Sequence, residues 1–345
     1  MASMSMGMGD GLDFQLLNRF QRDFPLKPSP WAVLALQLGV DETEVLGAVQ
    51  RLSDEGVVSR VGAVFSPRRI GASSLAALAV PAGQLDAVAE QVSAYAEVNH
   101  NYEREHGWNL WFVATAPDAA HLDGVLREIE RQSGCPLIRL PLLDEFHIDL
   151  GFDLLVGADE VVRVSQRPVR LPDGLVVLGD AEQRLMAALQ EGLPLVPQPY
   201  DLLGKHAGLT ESEVLELLAA WIERGLIKRF GVVVRHHELG WTANAMCVWD
   251  VPDEAVTPLG RQLATMPGVT LCYRRARDLP AWPYNLYCMV HGRERAEVEA
   301  QLAQINQRVG LAGYPQAVLF SLRRYKQRGA RYVDLGMSSG EVAHV

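Results

Sequence analysis

Cysteine is scarce in this sequence: four in 345 residues, at positions 135, 247, 272 and 288, with no C-x-x-C pair. That usage excludes a disulfide scaffold and a thiolate zinc site, and predicts free thiols in a reducing compartment. No apolar run approaches the roughly 20 residues that span a bilayer, so no membrane span is expected. Positive charge is not in excess either. The formal net charge is −10, which argues against non-specific affinity for nucleic acid but leaves room for a local basic pocket. Residues 1–12 lack a basic stretch followed by an apolar one, which predicts no secretory signal and a cytoplasmic protein. Familiar catalytic strings are incomplete. His237-Glu238 opens like a zinc-protease helix, but Trp241 stands where the second histidine is required, so no metal site is read. The glycines between Gly174 and Ala181 have Asp180 where a phosphate loop needs lysine. Gly71-Ala72-Ser73-Ser74-Leu75 lacks the last glycine of a nucleophile elbow.

What the chain has is a second copy of itself. Pro25-Leu26-Lys27-Pro28-Ser29-Pro30-Trp31 returns as Pro194-Leu195-Val196-Pro197-Gln198-Pro199-Tyr200, an offset of 169. The same offset carries the stretch from Gly56 to Gly62 onto that from Gly225 to Gly231, and Gly71 onto Gly240. Asn101-Tyr102-Glu103-Arg104 then answers Cys272-Tyr273-Arg274-Arg275, and Asn109-Leu110-Trp111 answers Asn285-Leu286-Tyr287. Two matching modules in one chain predict a fused, intramolecular pseudo-dimer with its site on the pseudo-two-fold axis. Whether it forms a further homo-oligomer or takes on homologous subunits is open at this stage.

Each copy opens with two short helical patterns. Asp41 with Glu44, and Thr210 with Glu213, are capping-box starts. A glycine (Gly56, Gly225) ends each second helix, and β-branched residues with an arginine follow, as in a winged helix. The remainder reads strand, helix, strand, strand, helix, strand. Strands are predicted near 74–81, 97–105, 109–115 and 137–146, and again near 242–251, 268–276, 284–291 and 315–323. Helices are predicted near 83–94, 118–133, 254–266 and 294–309. The expected fold is α+β, a tandem repeat of winged helix-turn-helix and ferredoxin-like βαββαβ modules. Boundaries are set at 13–70 and 179–239 for the winged helices and at 71–150 and 240–333 for the ferredoxin-like domains. Residues 151–178 form the linker, and 1–12 and 334–345 are predicted to be disordered.

That architecture resembles the Lrp/AsnC proteins. The motifs P-L-x-P-x-P-[WY], [SK]-R-[VF]-G-[AV]-V, H-N-Y-x-R with C-Y-R-R, and N-L-[WY] with M-V-H-G resemble the siroheme decarboxylases within that group. The resemblance covers about 20–150 and 190–331. It implies a fusion of two homologous subunits that converts siroheme to 12,18-didecarboxysiroheme for haem d1. No cofactor is implied beyond the iron carried by the siroheme substrate.

The same architecture allows two other readings, a transcription regulator and a haem sensor without turnover. A regulator would lay the second helix of each winged motif in the major groove. Here the first such helix carries five carboxylates against Arg51, and its counterpart carries four against Arg224. Such faces repel phosphates, so no DNA partner is expected.

A polycarboxylate macrocycle calls for arginines, whose planar fork takes a carboxylate at two points and stacks on a conjugated ring. Arg60 matches Arg229 and Arg104 matches Arg275, making these pairs the leading clamps. Lys228 and Arg274 stand beside them. Tyr102 and Tyr273 match between the copies and could face the ring or simply fill a core. Losing carbon dioxide from an acetate side chain leaves an electron pair for the macrocycle and a carbon that needs a proton. Histidine suits proton delivery, with an unperturbed pKa of about 6.5. His100 stands where the second copy has Leu271, and His291 where the first has Thr115. They are the predicted acid/base pair, with labour divided between the copies; axial ligation of the iron is an alternative role. His147 is a second-tier pocket residue, and His106 is expected at the surface.

Overall fold

The computed structural model describes residues 11–148, 175–234, 243–330 and 332. Most of the predicted linker, the outermost termini and the His236–Gly240 segment lie outside the described residues. The chain divides into two units.

The first unit holds the described residues of Met1–Gly71, Pro168–Val234 and Gly329–Val345. It contains α1 (Leu12–Arg19), α2 (Pro30–Leu38), α3 (Glu42–Asp54), β1 (Val58–Phe65) and the short α4 (Pro67–Ile70). The second copy supplies α7 (Asp180–Glu191), α8 (Pro199–Ala207), α9 (Glu211–Glu223) and β6 (Ile227–Val234). The proline motif recurs because Pro30 and Pro199 each open a helix, where a missing N–H costs nothing. Gly39 and Gly208 close those helices at φ 70° and 73°, the left-handed region that glycine enters without strain. The capping boxes form as expected. The Asp41 N–H donates to Glu44 Oε2 at 2.9 Å, and the Thr210 N–H to Glu213 Oε2 at 2.7 Å. Trp31 and its counterpart Tyr200 are fully buried, and the Tyr200 hydroxyl donates to Pro25 O at 2.8 Å.

Among the described residues, each copy has three helices before its ribbon strand, not the two predicted. α1 and α7 follow glycines, Gly11 and Gly179, so neither has an N-cap side chain, although Glu182 Oε2 accepts from the Gly179 N–H at 2.9 Å. They are held by burial of Leu16 and Leu17, and of Leu185, Met186 and Leu189. β1 and β6 form an antiparallel ribbon with Gly62 opposite Gly231.

The second unit holds the described residues of Ala72–Arg167 and Arg235–Arg328. Its first copy runs β2 (Ala72–Leu78), α5 (Leu85–Ala94), β3 (Val98–Arg104), β4 (Leu110–Ala116), α6 (Ala119–Ser133) and β5 (Leu137–Ile148). The second runs β7 (Ala243–Trp249), α10 (Asp253–Leu263), β8 (Val269–Arg275), β9 (Leu286–Gly292), α11 (Arg295–Val309) and β10 (Gln316–Gln327). Every predicted strand and helix of this unit is present within a few residues.

The two four-stranded sheets join into one closed barrel, in the order β10-β3-β4-β2-β5-β8-β9-β7. Closure comes from two ladders that cross between the copies: β10 on β3, and β5 on β8. Strand alternation then sorts side chains to two faces. Ala76, Leu78, Phe112 and Ala114 pack under the helices of the first copy; Cys247, Trp249, Cys288 and Val290 do so in the second. Leu75, Ala77, Trp111, Ile138, Leu140, Met246, Val248, Tyr287 and Leu319 fill the barrel interior. The asparagine of each N-L-[WY] motif is a staple. Asn109 bonds both the N–H and the carbonyl of Val80 (2.9 and 2.8 Å), and Asn285 does the same to Val251 (3.0 and 2.9 Å).

A Cβ at Gly231 would lie 2.5 Å from the main-chain oxygens of Phe20 and Gln21. Gly231→Ala should therefore cost about 1–3 kcal/mol of stability. Gly47→Ala, on a helix position with nothing within 4 Å, should instead gain about 0.5–1 kcal/mol. Urea unfolding of the two variants checks both signs.

Candidate active site

His100, Tyr102 and Arg104 alternate along β3 and share its inner face, because His100 pairs with Val113 and Tyr102 with Trp111, both interior residues. The His100 and Tyr102 rings are near-parallel with centroids 6.4 Å apart, and the Arg104 guanidinium lies 5.7 Å from the Tyr102 ring. Arg104 is 8% exposed and donates from Nη1 to Leu319 O at 3.1 Å. Burial lowers its pKa, while Tyr273, Tyr102 and Cys247 oppose that shift. A guanidinium keeps its charge through such a shift.

The register carries this group across three more strands. Arg104 stands opposite Ser321 on β10. The β10–β7 ladder runs to Phe320 opposite Ala245, which brings Ser321 level with Asn244. Asn244 is opposite His291 on β9. Arg104, Ser321, Asn244 and His291 thus form one transverse row.

Within it, His291 Nδ1 bonds Asn244 Oδ1. An amide oxygen only accepts, so Nδ1 carries the proton and Nε2 the lone pair. Burial, and secondly the nearby Arg104 charge, push the His291 pKa down to about 4. His100 is held in the same manner: its Nδ1 bonds Asn99 Oδ1 at 2.6 Å, and Asn99 Nδ2 donates to Thr115 Oγ1 at 2.6 Å. Burial raises the Tyr102 pKa, against Arg104 and Arg324.

Both histidines therefore belong to the same half of the barrel, β9-β7-β10-β3. Each copy contributes one of the two histidines to that half. Because β3 of the first copy is zipped to β10 of the second, His100 and His291 fall on one side, and both of their counterpart positions fall on the other. The opposite half, β4-β2-β5-β8, has Leu271 and Thr115 at the histidine positions, and Thr270 and Ser73 at those of Asn99 and Asn244. It keeps the arginine and tyrosine. Arg275 lies 4.6 Å over the Tyr273 ring and donates to Leu140 O at 2.8 Å, mirroring Arg104. The flanking charges are inverted. Arg324 stands opposite Tyr102, whereas Glu145 stands opposite Tyr273; Arg323 faces Glu103, whereas Asp144 faces Arg274.

Five sequence candidates are placed differently from the row. Arg274 is an ion-pair residue, 2.8 Å from Asp253 and 3.7 Å from Asp144, one position off the inner face that holds Tyr273 and Arg275. His147 lies on β5 opposite Cys272, in the half without His100 and His291. Arg60 and Arg229 belong to the first unit, where each folds back on the carbonyl three residues ahead, Ala63 O at 3.0 Å and Val232 O at 3.5 Å. Arg60 has its pKa lowered by burial, with Glu191 and Tyr332 acting against it. Lys228 is on β6 of that same unit, half-buried beside Arg229. His106 is exposed as expected, with its ring edge against Trp282.

Asn99, Asn244 and Trp282 escaped sequence reasoning. The asparagines carry the signal that singled out the histidines, a difference between the copies. Trp282 sits in a connection with no counterpart in the first copy; it closes on Trp111 at 5.0 Å and donates to the Tyr287 hydroxyl at 2.7 Å. Among the described residues no cluster of histidine, cysteine or carboxylate could hold a metal ion, and no helix is long and apolar enough to cross a membrane.

A model of the siroheme decarboxylase NirDL-like HTH domain matches residues 13–58 and 182–228, and one of the AsnC-like ligand binding domain matches 69–147 and 238–326. The siroheme decarboxylase NirDL subunit of Paracoccus denitrificans (strain Pd 1222) is 45% identical over 326 residues, covering 94% of this chain and 98% of that one. The chain belongs to the siroheme decarboxylase NirDL family. A siroheme decarboxylase of Hydrogenobacter thermophilus (strain DSM 6534 / IAM 12695 / TK-6) is 33% identical, covering 94% of this chain and 96% of its own. The crystal structure of a NirDL in co-complex with an iron-uroporphyrin III analogue superposes with a TM-score of 0.68 at 29% identity, covering 93% of each chain. The tandem of HTH and AsnC-like domains in this NirDL-family chain is the one anticipated from its repeats.

At pH 7 His291 is neutral. Its depressed pKa means the unfolded state binds the extra proton first, so its contribution to stability is complete above about pH 6.5 and is lost as pH falls toward about 4. Histidine NMR should show His291 uncharged until about pH 4, and Arg104→Met should raise that midpoint. A midpoint near the ordinary histidine value in the native chain would contradict the arrangement.

Proposed function

We propose that this chain is a carbon–carbon lyase. It removes two acetate carboxyl groups from siroheme to give 12,18-didecarboxysiroheme for haem d1, and the chemistry occurs on the β9-β7-β10-β3 half of the barrel. The observation that carries this reading is the convergence of both copy-specific histidines, with Arg104 and Tyr102, on one inner wall.

The chain's own groups suit the steps. Arg104, already stripped of water, is positioned to orient an acetate carboxylate and to exclude solvent from it. The bond between the methylene carbon and the carboxyl carbon breaks, carbon dioxide leaves, and the electron pair passes into the conjugated macrocycle. A proton then completes the methyl group. Burial is the larger cause of the low His291 pKa, and a carboxylate beside Arg104 offsets the smaller part that this charge adds, so substrate binding moves the histidine toward protonation. The imidazolium so formed is a suitable donor to the new carbon, and His100, on the same wall, is the second acid/base group. No organic cofactor is required in this scheme, because the macrocycle is the electron sink and its iron arrives with it.

Other aspects follow from the same reading. The second half-barrel is not a reacting centre: it has leucine and threonine for histidine and carries Asp144 and Glu145 where a carboxylate-rich ligand needs cations. Fusion makes the pseudo-dimer internal to one chain. The acidic faces of α3 and α9 speak against DNA as a partner. Four unpaired, buried cysteines suit a reducing cytoplasm.

Anaerobic incubation with siroheme, followed by mass analysis, should show loss of two carbon dioxide units. His100→Ala and His291→Ala should each abolish that loss while tetrapyrrole binding stays measurable; unchanged turnover in either removes that residue from the reaction. Titration with iron uroporphyrin should saturate at one ligand per chain, and two equivalent sites would refute the single centre.

A further inference from the structure

The two histidines share more than a wall. Each turns Nδ1 toward the side-chain oxygen of an asparagine, Asn99 for His100 and Asn244 for His291. The Asn99 amide also meets Thr115 Oγ1 at 2.6 Å, and the residue is 2% exposed, so its side chain is held against the His100 ring. Asn244 reaches His291 from the next strand, inside the row that begins at Arg104. Neither asparagine has an equivalent in the other half-barrel, where Thr270 and Ser73 stand in their places. A hydroxyl both donates and accepts, so it cannot dictate which imidazole nitrogen bears the proton; an amide oxygen can. Histidine and asparagine thus occur together on one side and are missing together on the other.

We infer that Asn99 and Asn244 are positioning residues, which hold His100 and His291 as Nδ1–H tautomers so that Nε2 is the nitrogen available for proton transfer on the barrel's inner face. This inference rests on the decarboxylase reading for its consequence, though not for the tautomer itself. In that tautomer each imidazole carries its lone pair on Nε2. Once protonated, it delivers from Nε2 and returns to the tautomer it had, because the proton on Nδ1 stays shared with an amide oxygen. Without the asparagine the ring would rotate or exchange tautomers. A fraction of molecules would then present N–H where the lone pair is needed, and each turnover would begin from a mixed population. Substrate affinity, set by the arginines, would be little altered.

The deciding variants borrow from the chain itself: Asn244→Ser and Asn99→Thr install the residues of the opposite half-barrel, and Asn244→Asp preserves an acceptor oxygen. Nitrogen-15 NMR of the ligand-free, histidine-labelled full chain at pH 8 reads the tautomers directly. The native protein should show Nδ1–H at His100 and His291, and Asn244→Ser should lose that preference at His291 alone. Its kcat for siroheme should fall about 10- to 100-fold, while its affinity for iron uroporphyrin changes little. Asn244→Asp should keep the Nδ1–H tautomer and turn over faster than the serine variant. An unchanged tautomer in Asn244→Ser, or loss of turnover with the tautomer kept, overturns the inference. A native chain that leaves siroheme unaltered would refute the decarboxylase reading instead, and the tautomer result would stand apart from it.

Discussion

The organisation of this protein depends on two antiparallel ladders, β10 on β3 and β5 on β8, that join the edge strands of its two sheets. A four-stranded sheet on its own would leave two rows of backbone donors and acceptors open. Closing each sheet on the other satisfies those groups and encloses a second core of inner-face side chains. It also decides which residues meet. Each half of the barrel is assembled from one strand of one copy and three of the other, so a site on its wall is composite by construction. Duplication followed by fusion gives such a scaffold independent control of the two halves, because a change in either copy alters only one site.

That freedom has been used in a coordinated way. The arginine over a tyrosine, anchored to a main-chain carbonyl, survives on both sides as Arg104 with Tyr102 and Arg275 with Tyr273. Histidine with its asparagine is present on one side only, and the neighbouring charges change sign with it. The retained pair is the feature that serves the barrel, since each arginine ties its strand to the wall beside it. The asymmetric features are the ones suited to proton transfer. Burying a guanidinium beside an imidazole is unfavourable for the protonated histidine. Added to burial, which is the larger cause, it holds the His291 pKa down to about 4. In the proposed reaction, the cost of placing Arg104 in the core couples binding to chemistry.

Much of this was legible in the sequence. Repeated prolines, capping boxes and glycine ends located the winged helices because those residues act through local backbone geometry, which a sequence expresses directly. The βαββαβ order was readable from periodicity, because alternation and helical repeat are short-range. α1 and α7 were missed because they start on glycines, which offer no N-cap side chain to read, and rest on tertiary burial. That Arg274 and His147 stand apart from the row of Arg104 and His291 was not legible for a different reason. A strand residue's face depends on alternation through register shifts, and β5 and β8 contain such shifts next to both residues.

The sequence by itself determined that there are two related modules, what each is built from, and which positions differ between them. It also determined that His100 and His291 are unequal to their counterparts, since that requires only an alignment of the chain with itself. Only the tertiary structure decided that these two differences lie on the same side, because adjacency across a barrel is set by which edges pair, and the pairing crosses between the copies. It also decided that asparagines hold both rings, that Arg104 lowers one histidine's pKa, and that the opposite half carries reversed charge. Each of these is a through-space relation between residues far apart in the chain. Distance along a sequence carries no information about such relations until closure of the sheet brings the strands together.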